Sequence, residues 1–156
     1  MGNICRSPTA ESVFRSHVER AGLEDRFHIA SAGIGNWHVG QAPDERAIAC
    51  ARNRGYDMSR LRARQVGRDD FARFDWILAM DLRNLRDLKA MCPADYAGHL
   101  GLFLGFVPEL ELREVPDPYF GNVAGFEKVL ELTERASAAL LQHIIAAQRT
   151  GDEYGT

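Results

Sequence analysis

Gly2-Asn3-Ile4-Cys5-Arg6-Ser7-Pro8 constrains this chain more than any other stretch. Gly2 and Asn3 are residue types that let a backbone turn tightly. Ser7 is a good helix N-cap, and Pro8 suits the first helical position behind it. The stretch therefore predicts a loop feeding a helix N-terminus. Such a loop points backbone N–H groups at one spot and adds the positive end of a helix dipole, which makes an anion site. Arg6 stands where its guanidinium fork can grip a phosphate-like anion bidentately.

A helix is expected from Pro8 to Ala21, with Ala10, Val13, Phe14, His17 and Ala21 on one face and Gly22 as its stop. Phe27 to Ser31 alternates as a short strand does, and Ala32 to Asn36 opens a loop carrying Trp37 and His38. Asp44 to Arg54 is a second helix ending at Gly55, with Cys50 beside its apolar stripe as a buried, inert thiol. Ser59 to Arg68 carries Arg60, Arg62, Arg64 and Arg68 without interleaved aromatics, so it is a solvated basic face rather than a nucleic-acid platform. Phe74 to Met80 fits a buried parallel strand. Asp81 caps a helix from Leu82 to Met91 that Pro93 ends. The Gly- and Leu-rich stretch from Gly98 to Pro108 points to neither helix nor strand, and Leu112 to Val115 is a weak last strand. Val123 to Gln148 is the longest helical pattern, followed by a frayed tail from Gly151 to Thr156.

Strands alternating with helices indicate an α/β fold with a parallel sheet and helices on both faces. The 156 residues suit a single domain over 1–156. A net charge of -3 argues against a general nucleic-acid binder. No apolar run is long enough to span a membrane, and no secretory signal pattern is present, so a cytoplasmic protein is expected. Cys5, Cys50 and Cys92 are odd in number and irregularly spaced, which fits reduced thiols better than a disulfide framework. No Cys/His spacing matches zinc ligation, so no metal is expected, and no cofactor either.

The opening Gly2-Asn3-Ile4-Cys5-Arg6-Ser7-Pro8-Thr9-Ala10-Glu11 resembles the phosphate-binding loop of the low-molecular-weight protein tyrosine phosphatases. The resemblance continues through Ser31-Ala32-Gly33, Asn36 to Gly40, Arg62 to Val66, Ala79-Met80-Asp81 with Asn84-Leu85, and Asp117-Pro118-Tyr119, in the family's order. It implies a hydrolase that cleaves tyrosine phosphate or other aryl phosphate monoesters through a phosphocysteine, and a doubly wound, four-stranded parallel sheet. In the family's loop a nucleophilic Cys precedes the Arg by six positions. Counted back from Arg6, that Cys belongs immediately before Met1. The resemblance thus implies that the nucleophile and the first strand lie upstream of Met1, with a start placed too late as the simplest cause, and that the sequence as it stands is inactive.

The roles carried over by resemblance are these. Arg6 binds the equatorial phosphoryl oxygens, and Asp117 is the general acid for the leaving phenolate. Gly2, Asn3, Ile4, Cys5 and Ser7 line the loop, Asn3, Ser7 and Ser31 form its supporting hydrogen-bond network, and Trp37 and Tyr119 are the aromatic walls. Leu61 stands where the family often has a His, which weakens that network. Cys5 is adjacent to Arg6, so one loop cannot present both as nucleophile and anion clamp. Asp81 reads as a helix cap rather than a second acid. Two other readings stay open. One is a catalytically inactive protein that binds phosphotyrosine or an oxyanion. The other is an arsenate reductase, for which Cys50 and Cys92 are poorly spaced as a thiol relay. No nucleic-acid or membrane partner is expected.

Overall fold

The computed structural model describes residues 2–153. Its centre is a βαβ unit. Strand β1 (Trp76–Ala79) leads through helix α4 (Leu82–Met91) to strand β2 (His99–Leu102). The two strands pair in parallel, with Trp76 opposite His99 and Ala79 opposite Leu102. A crossover helix is what a parallel pair requires, because a tight turn cannot reverse the chain twice. Asp81 caps α4 as the sequence predicts, accepting from the Asn84 N–H at 2.7 Å. Around this unit lie α1 (Arg6–Arg20), α2 (Glu45–Asn53), the short α3 (Asp69–Arg73) and the long α5 (Val123–Glu153).

Helix α5 holds the layers together because it is apolar on more than one side. Val129, Leu132, Ala136, Leu140 and Ile144 recur at helical spacing and pack with Ala10 of α1 and with Phe103, Leu104 and Val107. A neighbouring stripe, Phe126 and Leu130, packs with Val13, Ala47, Ala51 and Met58. Val13, Leu130 and Leu132 are fully buried, and each such side chain contributes about 1.5–3 kcal/mol by leaving water.

The α/β class holds, and several boundaries differ from expectation. Helix α1 begins at Arg6, not Pro8, and its N-cap residue is Cys5, which makes no side-chain cap. Ser7 therefore lies inside the first turn, where its hydroxyl is free to serve the loop instead. Gly22 does stop α1, at a φ of 67° that a side chain would resist. The strand expected at Phe27 to Ser31 has no ladder partner among the described residues. A single parallel bridge, Gly33 to Gln65, continues it. Leu112 to Val115 is not a strand either. Val115 donates its N–H to the Met80 carbonyl at 2.8 Å, one bond where a ladder needs several. The second paired strand is instead His99–Leu102, from the stretch without a period. Among the described residues the sheet has two strands, and a four-stranded sheet stays what the resemblance implies. Helix α5 runs on through Gly151 to Glu153, where fraying was expected, and the rest of that tail lies outside the described residues.

Candidate active site

In open parallel sheets the binding site lies beyond the carboxyl ends of the strands. Here β1 ends at Ala79, and Asp81 follows just beyond it. That carboxylate meets Arg6, whose Nη1 donates to Asp81 Oδ2 at 2.8 Å and to the Val115 carbonyl oxygen at 2.8 Å. Arg6 is 5% exposed. All its hydrogen bonds among the described residues leave from Nη1, so the fork is anchored at one tip. Burial pushes the Asp81 carboxyl up. The Asn84 N–H and the Arg6 guanidinium outweigh that, and the group sits below the ordinary carboxylate range. Asp81 is therefore both the predicted helix cap and the counter-charge of Arg6, a second role that sequence reading missed.

The loop is held from below by side chains that turn on Asn3. Its φ of 61° is the left-handed region, which Asn tolerates better than most residues. Asn3 is buried and fully engaged. Its Nδ2 donates to Ser7 Oγ at 2.9 Å and to Ser31 Oγ at 3.0 Å, and its Oδ1 accepts from the Arg64 N–H at 3.1 Å. Ser31 passes the chain on to Glu11, which Arg15 holds in turn. The three residues expected to support the loop thus bond to one another. Leu61, which cannot join such a network, is half-buried against the core cluster that includes Cys5, Val13 and Met58.

Arg64 is not part of a free basic face. It reaches back to Asp70, which is 6% exposed and accepts from Arg64 Nη1 at 3.2 Å and from the Gly67 N–H at 2.8 Å. Arg60, Arg62 and Arg68 are exposed, as expected of the rest.

Two segments frame the mouth. Trp37 is 58% exposed, and glycines set its position. A Cβ on Gly35 would lie 1.8 Å from the indole ring, and one on Gly2 would lie 2.3 Å from His38. A side chain at either glycine would push the Trp37 or His38 ring aside. On the other side Asp117 is exposed on its loop and accepts from the Tyr119 N–H at 3.1 Å, while Phe120 stands almost wholly in solvent.

An open cavity of about 740 Å³ joins these parts. Gly2, Asn3, Ile4, Cys5, Arg6, Ser7, Ser31, Trp37, Asp117 and Tyr119 all line it, so every residue nominated from sequence reaches one space. Cys5 belongs to the floor. Burial, then the Asp44 and Asp117 carboxylates, push its thiol up to about 12. A thiol so raised is neutral near pH 7 and a poor nucleophile. This agrees with the exclusion of Cys5 on grounds of spacing. Cys50 is buried and Cys92 half-buried, and all three cysteines are free thiols. No group of three His, Cys, Asp or Glu side chains among the described residues could hold a metal ion.

A loop at a helix head, a buried arginine and an exposed carboxylate line one cavity of an α/β protein, beyond the carboxyl end of its parallel strands. The chain belongs to the low molecular weight phosphotyrosine protein phosphatase family, whose profile matches residues 1–150. It is 40% identical over 145 residues to a Bacillus subtilis low molecular weight protein-tyrosine-phosphatase, covering 92% of this chain and 91% of that one. A pig low molecular weight phosphotyrosine protein phosphatase is 40% identical over 146 residues, with 92% and 91% covered. Among solved structures, an Entamoeba histolytica protein tyrosine phosphatase superposes with a TM-score of 0.90 at 34% identity, covering 95% of this chain and 94% of that one.

Proposed function

We propose that this protein hydrolyses aryl phosphate monoesters, phosphotyrosine in proteins above all, by two displacements through a phosphocysteine. The observation that supports the reading is the shared cavity, which Arg6, the Gly2–Ser7 loop, Trp37, Asp117 and Tyr119 all line. The dianionic phosphoryl group enters the Gly2–Ser7 loop, where the amides and Arg6 bind its oxygens and hold them as charge redistributes. Asp117 protonates the leaving phenolate. As a carboxylate it then draws a proton from the water that releases phosphate. Trp37 and Tyr119 sandwich the ring, contact that an alkyl phosphate cannot return. The resemblance implies that the attacking thiolate is a Cys six positions before the loop arginine. The residues described here bind, orient and protonate. No metal or cofactor enters these steps.

The three free thiols support a reducing compartment, and we place the protein in the cytoplasm on that ground. No described helix is long and apolar enough to cross a membrane.

The test compares phenyl phosphate with a simple alkyl phosphate on the natural gene product. Phenyl phosphate is expected to give a kcat/KM higher by about 10²-fold or more, the aromatic contact and the better leaving group acting together. Equal rates would contradict the aryl pocket. Saturable phosphate binding without turnover of either ester would leave an oxyanion-binding protein in its place.

A further inference from the structure

Arg46 lies outside the anion loop and carries none of the roles described so far, yet its exposed guanidinium makes four hydrogen bonds. It stands in the first turn of α2. Its Nε and Nη2 grip the Asp44 carboxylate at 3.0 and 2.8 Å. The same Nη2 donates to the Tyr119 carbonyl oxygen at 2.9 Å, and Nη1 donates to that of Gly121 at 3.4 Å. The guanidinium plane also lies over Phe126 at 4.6 Å and near the Tyr119 ring at 5.8 Å. Every one of these contacts except Asp44 belongs to the segment that carries Asp117 or to the first turns of α5.

Asp44 connects this fork to the anion loop. Its backbone N–H donates to the Ile4 carbonyl oxygen at 2.7 Å, and its side chain caps α2 through the Arg46 N–H at 2.9 Å. A continuous path thus runs from Ile4 in the loop through Asp44 and Arg46 to Tyr119 and Gly121. The 117–122 segment has little else to fix it. Its residues are exposed apart from the buried Pro118, it has no regular secondary structure, and besides Arg46 its bonds among the described residues are short-range: Tyr119 N–H to Asp117, Gly121 N–H to Pro118, and the Gly125 N–H of α5 to Asn122. A loop tethered so sparsely samples many positions unless something outside it holds it.

We infer that Arg46 is a positioning residue for leaving-group protonation: it latches the Asp117 loop to the anion loop, so that bound phosphate and acid keep a fixed separation. This rests on the assignment of Asp117 as general acid. Arg46 touches neither substrate nor reacting atoms and acts only through the loop it holds. The planar fork matters because it serves two carbonyls and one carboxylate at once, which a lysine ammonium on a flexible stem cannot do in one geometry.

The natural gene product and its Arg46→Lys and Arg46→Ala variants would be assayed on two substrates. Phenyl phosphate needs its leaving phenolate protonated. The nitrophenolate of p-nitrophenyl phosphate departs without a proton. Arg46→Lys is expected to lower kcat/KM, which reports the first displacement, on phenyl phosphate by about 10-fold or more and on p-nitrophenyl phosphate by less than about 3-fold, within the range a displaced general acid allows. In an Asp117→Asn background the same change should widen the gap between the substrates no further, because the two residues act on one proton. A loss equal on both substrates would make Arg46 merely structural, and no loss would remove it from catalysis. Both overturn the inference. Should Arg46→Ala fail to fold, Arg46→Lys still decides, as it keeps the charge. If Asp117→Asn alone leaves the substrate gap unchanged, the general-acid assignment fails and the latch with it. If Asp117→Asn widens the gap and Arg46→Lys does not, the latch alone fails.

Discussion

Replacing Arg6 by lysine is expected to lower kcat/KM for an aryl phosphate by about 10³-fold while leaving a folded protein, measured on the natural gene product. The fork is buried and tethered through Nη1 to Asp81 and the Val115 carbonyl, so its orientation is fixed before any anion arrives. Preorganised donors of that kind act in a low dielectric and need no reorganisation as charge moves. Lysine keeps one charge beside Asp81 but cannot both hold that carboxylate and present two parallel donors to a phosphoryl group. The stability readout separates the two roles. Arg6→Ala would strand a carboxylate only 16% exposed, at a cost of about 3 kcal/mol by analogy with other broken buried pairs. Arg6→Lys should cost far less. An Arg6→Lys protein of full activity would remove Arg6 from the site whatever its stability.

Asp117→Asn is expected to reduce kcat/KM on phenyl phosphate by about 10²–10³-fold. Its effect on p-nitrophenyl phosphate should be much smaller, because that leaving group departs as an anion. The fold should not register the change. Asp117 is exposed, and its one side-chain bond accepts from the Tyr119 N–H, which an asparagine carbonyl can also do. A shift in unfolding free energy within about 0.5 kcal/mol is therefore expected. Loss of activity equal on both esters would point to a disturbed loop rather than a missing acid.

These residues were nominated from sequence because they lie in short motifs whose order is specific, although each motif alone is weak. Asp117-Pro118 by itself is only a turn. Local chemistry was legible wherever cause and effect lie within one turn of helix. Asp81 was readable as a cap, and Gly22 and Gly55 as stops, both glycines at positive φ, whereas Asp44, read as the first residue of its helix, is its N-cap. The pairing of Arg6 with Asp81 joins positions 75 apart, and nothing in either neighbourhood announces it. Arg46 was invisible for the same reason, since its partners Tyr119 and Gly121 lie more than 70 residues away.

Strands fared worse than helices. Helix periodicity is a property of one segment, whereas a strand exists only with a neighbour. Phe27 to Ser31 has the right alternation and no ladder partner among the described residues. His99–Leu102 is short, contains Gly101 and no β-branched residue, and is nonetheless a strand because β1 lies beside it.

The central claim is that the Gly2–Ser7 loop receives a phosphoryl group. The most direct measurement is a titration of the isotopically labelled chain with inorganic phosphate, following backbone and guanidinium N–H signals by NMR. Saturable shifts confined to the amides of Gly2 to Ser7 and to the Arg6 side chain, abolished in Arg6→Ala, are the predicted result. Shifts that never saturate, or that saturate at Arg60, Arg62 and Arg68 while the loop stays silent, would contradict it.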